Sequence, residues 1–354
     1  MFIQKRYLII ILVLLCTISI GLGLVISRGV QASGEENIYL QLQTLQEILL
    51  KVRDNYVDEV DQSKLLEGAI DGVLTKLDPH STYIKPEDVS KTMEKFRGDF
   101  EGIGIQFDVR NNYLTVIAPI EGSPAERVGL RAGDRIIKIN GESAIGIKEP
   151  DVMAKLRGPK GTSVTVTIQR EGVEEPFERR IIRDKIPIHS VPYHFLIRPQ
   201  TGYIRISRFS EKTISELDNA LSDLEAQGMK RLILDLRGNP GGLLAQAVEV
   251  ADEFLDEGLI VYTKGRISSA NEEYHATKKR SHPEYPLILM VNHGSASASE
   301  IVSGAIQDLD RGLIVGQTSF GKGLVQHPYD LRNNGKVLLT IAKYYTPLGR
   351  LIQR

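Results

Sequence analysis

The spacing of apolar residues changes character twice along the chain, and each change predicts a different kind of structure. From Ile38 to about Phe96 the period is helical. Leu42, Leu45, Leu49 and Val52 recur at three- and four-residue intervals, and Leu65, Leu66, Ala69, Ile70, Val73 and Leu77 repeat the pattern. Asp78-Pro79 closes the second run, because proline disfavours helix in the residue before it. Pro86-Glu87-Asp88 then opens a further short helix through Met93. Near Phe100 the period becomes two: Ile103, Ile105 and Phe107 alternate, Leu114, Val116 and Ile117 form a second strand, and Val164, Val166 and Ile168 alternate within Ser163–Gln169. Between these lie a short helix begun by Ser123-Pro124, a strand over Arg135–Ile139, a hairpin at Asn140-Gly141 and a helix over Asp151–Leu156.

From Gly202 the texture changes again. Strand candidates at Tyr203–Ile206, Arg231–Asp235, Leu287–Val291, Gly312–Val315 and Val337–Lys343 alternate with helices over Ser210–Glu225, Leu243–Asp252 and Ser297–Leu309. That alternation predicts crossovers onto a largely parallel sheet. The fold class expected is α+β and multidomain: a helical module over 36–97 with an apolar face able to pack on the core, a β-rich domain over 98–182, and an α/β core over 183–354 with a mostly parallel sheet.

Composition narrows the function. At 354 residues, with 42% apolar and 25% charged residues, the chain is long enough for two or three modest domains. The formal net charge of -1 and the lack of any Lys/Arg block argue against a nucleic-acid partner. The single cysteine, Cys16, excludes an intrachain disulfide and a thiol catalytic centre in the rest of the chain. Cys16 lies in Tyr7–Ile26, which has no charged residue over 20 positions and follows Lys5-Arg6. A helix of that length spans roughly 30 Å, the thickness of a hydrocarbon core, and the basic pair keeps the N-terminus cytoplasmic. Residues 1–32 are therefore expected to be a membrane anchor, or a signal peptide cleaved after Val30-Gln31-Ala32. Either exports the remainder.

The chemistry concentrates in two segments. Val291-Asn292-His293-Gly294-Ser295-Ala296-Ser297-Ala298-Ser299-Glu300 joins an apolar strand to a helix through small residues. A hydroxyl there sits near helix N–H groups that stabilise an oxyanion, and Ser295, Ser297 and Ser299 all qualify. None of the seven histidines forms a Ser/His/Asp signature. Lys322 lies in the glycine-bracketed loop Gly316-Gln317-Thr318-Ser319-Phe320-Gly321-Lys322-Gly323, and a partly buried lysine can serve as general base to a serine. A phosphate loop is excluded, since Gly323 replaces the required hydroxyl residue.

Two resemblances sharpen this. Glu101-Gly102-Ile103-Gly104-Ile105 and Gly129-Leu130-Arg131-Ala132-Gly133-Asp134-Arg135-Ile136, followed by Ile139-Asn140-Gly141, resemble a PDZ domain in the permuted order of bacterial proteases. The resemblance implies a carboxylate-binding loop built on Gly102, Ile103, Gly104 and Ile105, beside a strand edge that accepts a peptide. Leu234-Asp235-Leu236-Arg237-Gly238-Asn239-Pro240-Gly241-Gly242-Leu243, the Gly294–Glu300 run, the Ser319–Gly323 loop and Lys343-Tyr344-Tyr345-Thr346-Pro347-Leu348-Gly349-Arg350 resemble the carboxy-terminal processing peptidases, or tail-specific proteases, of serine peptidase type S41. That resemblance implies Ser297 as nucleophile, Lys322 as base, Gln326 as the residue that orients the lysine, and Asp308 as a structural acid. It further implies an oxyanion hole from the amides of Ala298 and Gly241, with Gly242 in the same turn, and Asp235 and Arg237 holding that loop. Arg157, otherwise a helix-end residue, becomes a relay between peptide binding and catalysis.

The expected protein is a serine endopeptidase that recognises the C-termini of exported or membrane proteins and cleaves through an acyl-enzyme. It is expected to need no cofactor and no metal, to touch the membrane through residues 7–26, and to be able to form a homo-oligomer. Family members continue beyond the Tyr-Tyr-Thr-Pro motif, whereas this chain stops at Arg354, so contacts made by that further segment are not carried over. The rivals are a catalytically impaired PDZ-containing adaptor and a small-molecule Ser/Lys esterase.

Overall fold

The structure, a computed structural model, describes residues 38–278 and 281–354. The apolar run Tyr7–Ile26 and the cleavage site at Ala32 lie outside the described residues. Among the described residues no helix is long and apolar enough to cross a membrane. The chain divides into two units at Leu77. The first holds helices over residues 38–55 and Gln62–Leu74. Asp61 caps the second of these, accepting from the amides of Ser63 and Lys64 at 3.0 and 3.3 Å, which satisfies N–H groups that have no partner inside the helix.

The second unit is built on two sheets and a β-rich module. Its central sheet runs in the order Tyr193–Arg198, Thr201–Arg205, Arg231–Asp235, Leu287–Val291, Leu313–Gly316. The last four strands are parallel and the first is an antiparallel edge. Helices Thr213–Ala226, Leu244–Asp252 and Ala298–Asp308 bring Leu217, Leu221, Val250, Val302 and Ala305 onto Leu232, Leu234 and Leu289 in one buried core. Because the strands are parallel, the loops that follow Asp235, Val291 and Gly316 all leave one edge of the sheet, the usual place for chemistry in an open α/β fold.

The strand expected at Val337–Lys343 does not join that sheet. It is the long strand Lys336–Tyr345, the centre of an antiparallel sheet that includes Thr82–Ile84, Leu259–Gly265, Glu273–His275 and Leu324–Asp330. Chain direction and partner identity are not written into an apolar run, which is why the two kinds of strand look alike in sequence. Thr82–Ile84, too short to show a period, pairs with Lys336–Leu338. The helix that follows runs Pro86–Arg97 and stops at Gly98, whose φ of 74° is the left-handed cap that glycine favours.

The β-rich module is a six-stranded antiparallel sheet from Ile105–Arg110 to Phe177–Ile182. Leu114, Val116, Ile136, Val166, Ile168 and Ile181 fill its core. The Asn140-Gly141 hairpin forms with φ of 51° and 82°, the pair of positive values that a two-residue turn of the right twist needs. Buried Asp134 fixes the preceding turn, accepting from Arg131 N at 2.9 Å and pairing with Arg170 at 2.7 Å.

On the helical side of the core, His282 fastens residues 281–286 to the helices. Its Nδ1 lies 2.7 Å from Glu225 and its Nε2 2.9 Å from Asp218. Burial pushes the imidazole pKa down, but Asp218, Glu225 and Glu253 outweigh it and raise the net value. A raised folded value means that this clasp stabilises fully below the unfolded value of about 6.5 and fades as pH rises through the folded one. Urea unfolding from pH 5.5 to 9 should therefore show the largest deficit for His282→Gln at the acid end, shrinking toward pH 9. A deficit that is flat across the range would mean that His282 holds the segment by packing alone.

Candidate active site

Three loops meet at the carboxyl edge of the parallel sheet, and backbone hydrogen bonds lace them together. Leu236 N donates to Met290 O at 2.9 Å, Ala296 N to Asn239 O at 3.0 Å and Phe320 N to Ser295 O at 2.9 Å. The serine-bearing loop is thus held between the loop after Asp235 and the loop that carries Lys322.

Within that loop the three serines separate by burial and bonding. Ser295 is fully buried, its hydroxyl donating to Leu236 O at 2.8 Å and accepting from Asn292 N at 2.9 Å. Ser299 is equally buried and donates to Asn239 O at 3.0 Å. Both hydroxyls serve the loop. Ser297 is partly exposed at the mouth of the helix Ala298–Asp308, with φ 54° and ψ -113°. A non-glycine residue in that region costs of order 1–3 kcal/mol and persists only where its surroundings enforce it.

The enforcing group is Glu300. Its Oε2 accepts from Ser297 N at 2.8 Å and from Lys322 N at 2.8 Å, and its Oε1 accepts from Gly321 N and Ser319 Oγ, each at 2.7 Å. One buried carboxylate therefore ties the backbone of Ser297 to that of Lys322. The Lys322 amine donates to Gln326 Oε1 at 3.2 Å. Gln326 sits on the strand Leu324–Asp330, just after the loop that carries Lys322, at a bulge between Val325 and Gln326. Burial pushes the Lys322 ammonium below its ordinary pKa, and the nearby Asp78 carboxylate opposes that shift.

The loop Leu236–Leu243 supplies the opposite wall. A Cβ on Gly241, at φ 97°, would lie 2.8 Å from the Ser297 Cβ and 3.0 Å from Ala298 N, so only glycine allows this approach. The Gly241 amide is already engaged, donating to Asn239 Oδ1 at 2.9 Å. The Gly242 amide is left open, because its neighbours Phe209 N and Leu243 N take the bonds of the bridge to Phe209. Asp235, fully buried, holds Arg237 through contacts of 2.7–3.1 Å and accepts from Tyr203 OH at 2.7 Å. Burial would push the Asp235 carboxyl up, but these bonds hold it below the usual range. Asp308 lies at the far end of the nucleophile helix, where it accepts from Leu348 N at 3.0 Å and pairs with Arg350. It is remote from the serine.

In the β-rich module, Gly102 ends a strand paired with Asp184–Pro187, and Ile103 is buried in the module core. Gly104 has φ 77°, with Ser123 packed where its Cβ would be, and Ile105 opens the strand Ile105–Arg110. Among the described residues that strand has one ladder partner, and its second edge is unpaired. Arg157 follows the helix Glu149–Leu156, pairs with Glu94 at 2.6 Å and lies 4.7 Å over the Phe100 ring. Among the described residues no cluster of His, Cys, Asp and Glu is placed to hold a metal. Sequence reasoning missed Glu300 and Asn239 as structural determinants; the signal for Glu300 was a glutamate three residues after a serine at a helix start.

A family model described as peptidase family S41 matches residues 200–354, one described as a PDZ domain matches 115–170, and one described as the N-terminal domain of the activating protease CtpB matches 26–88. The chain is 42% identical over 334 residues to a carboxy-terminal-processing protease of Bartonella bacilliformis, covering 93% of this chain and 76% of that protein. It is 38% identical over 305 residues to the carboxy-terminal processing protease CtpA of Bacillus subtilis, covering 86% of this chain but 65% of the relative. A solved structure assigned to the S41 proteases, from Bacteroides fragilis, shares the fold at a TM-score of 0.50 and 17% identity, covering 86% of each chain.

The Glu300 carboxylate makes a prediction that does not depend on substrate. In Glu300→Gln an amide donor replaces one acceptor facing four donors, and the serine loop loses its registration with the lysine loop. Labelling of Ser297 by a fluorophosphonate, followed by mass spectrometry, should slow by about a hundredfold with an unchanged far-ultraviolet circular dichroism spectrum. Labelling at the original rate would remove Glu300 from the site.

Proposed function

The chain belongs to peptidase family S41, the serine-type carboxy-terminal-processing proteases, and on that premise we propose that Ser297 is its nucleophile and Lys322 the base that activates it. The observation that carries this is the shared Glu300 carboxylate, which accepts from the amides of both residues. Ser297 Oγ attacks the scissile carbonyl carbon while its proton passes to the neutral Lys322 amine. The negative charge that develops on the carbonyl oxygen is received by the Ala298 amide, at a helix start, and by the open Gly242 amide. Gly241 contributes by lacking a side chain. Collapse of the tetrahedral intermediate breaks the C–N bond, and the lysine returns its proton to the leaving amine. Water then attacks the Ser297 ester, with Lys322 again as base, releasing the acid and regenerating the serine.

Substrate selection falls to the PDZ domain. The turn Gly102–Ile105 offers backbone N–H groups to a terminal carboxylate, and the open edge of Ile105–Arg110 accepts the peptide as an added strand. Arg157, bonded to Glu94 on the helix that follows Thr82–Ile84, is the relay from bound peptide to catalytic unit. The substrates are exported or membrane proteins with apolar C-termini. Tyr7–Ile26 anchors the chain with its catalytic unit outside the cytoplasm.

The test is cleavage of an unfolded reporter with a free apolar C-terminus by the full chain in detergent, beside the same reporter amidated. Ser297→Ala and Lys322→Ala should each lower the rate at least about a thousandfold, and amidation should raise KM. Because the base must be neutral, kcat/KM should rise with pH through a midpoint below the ordinary lysine value of about 10.4, and Lys322→Ala should lose that limb. Full activity without Lys322 would overturn the assignment of the base, and indifference to the amide cap would overturn tail recognition.

A further inference from the structure

The residues before Thr82–Ile84 reach the catalytic lysine from the opposite end of the second unit. Asp78 makes a tight turn, its Oδ1 accepting from His80 N at 2.7 Å and Ser81 N at 2.8 Å, and its Oδ2 from Ser81 Oγ at 2.8 Å. Ser81, 4% exposed, fastens the turn to the long C-terminal strand by accepting from Thr340 N at 3.1 Å. Thr340 stands directly opposite Gln326 in the ladder. The turn is therefore brought over Gln326, and the His80 carbonyl accepts from Gln326 Nε2.

A carboxamide has one accepting end and one donating end. A backbone carbonyl can take the donating end alone, so the His80 carbonyl leaves Gln326 Oε1 facing Lys322, where it accepts from the amine at 3.2 Å. The reverse orientation would aim an N–H at the amine and occupy the lone pair that must take the serine proton. We infer that the turn Asp78–Ser81 is a positioning element of the catalytic centre, which fixes the orientation of the Gln326 amide through the His80 carbonyl and so keeps the Lys322 lone pair free for Ser297. The hydrogen-bonded route from Asp78 and Ser81 to the lysine runs through Gln326, beside the charge that Asp78 also places near the amine. This rests on the reading of Ser297 and Lys322 as the reacting pair.

A double-mutant cycle in the full chain tests it with the free-tailed reporter. Asp78→Ala should lower kcat by about ten- to a hundredfold with little change in KM. Asp78→Asn, which can rebuild the turn with its remaining carbonyl oxygen, should recover most of the loss. In a Gln326→Leu background, Asp78→Ala should change kcat less than about twofold, because the amide it orients is gone. The same loss in both backgrounds would mean a general structural role and would overturn the inference, as would no loss in either. If Asp78→Ala does not fold, Ser81→Ala replaces it in the cycle with the same two readings. Ser297→Ala and Lys322→Ala run alongside: activity in either sinks the dyad itself, whereas inactivity in both with an additive cycle sinks only the role of the turn.

Discussion

Four donors converge on the two oxygens of Glu300, and an ionised carboxylate offers about four lone-pair sites to receive them. Two come from the backbone of Ser297 and Lys322, and two from Ser319 and Gly321 beside the lysine. The carboxylate is buried, so each bond is made where water cannot compete for it. The positive φ of Ser297 follows from this constraint, since the loop must bend to bring its amide onto Glu300 while the hydroxyl stays at the surface. The rest of the site depends on that registration. An oxyanion pocket is useful only if the serine is fixed against it, and a desolvated lysine only if it is fixed against the serine.

The parallel sheet makes such convergence possible. Its strands deliver the loops after Asp235, Val291 and Gly316 to one edge, and Asn239 then joins the first two. Asn239 is fully buried, donates to Ile206 O at 2.9 Å, and its own carbonyl accepts from Ala296 N and Ser299 Oγ, each at 3.0 Å. The antiparallel sheet performs a different task, carrying Gln326 and the Asp78 turn to the lysine from the far side.

Much of this was legible in the sequence because it is local. Arg231–Asp235, Leu287–Val291 and Ser163–Gln169 fold where their apolar spacing places them, and the Asn140-Gly141 hairpin forms at its signal. The motifs around Ser297 and Lys322 lie on two loops that the fold joins through Glu300. What escaped is what depends on partners distant in sequence. The sheet to which Lys336–Tyr345 belongs, the pairing of Thr82–Ile84 and the contact of His80 with Gln326, 246 residues away, are set by tertiary pairing that no local period encodes. Engagement of the Gly241 amide by Asn239 is local, but it depends on how one side chain two residues back is turned, which no apolar pattern encodes.

The pairing of Thr82–Ile84 with Lys336–Leu338 has a consequence in time as well as in space. The contact cannot form until Lys336–Leu338 has been made, long after Thr82–Ile84 has emerged. Long-range pairing of this sort also forms slowly once the chain is free, since the intervening loop must close first. The site around Lys322 is therefore completed only after Lys336–Tyr345 has been made and has paired with both Leu324–Asp330 and Thr82–Ile84. A chain made only as far as Gln326 holds both loops of the site, yet lacks the paired strand that seats the Asp78 turn over Gln326.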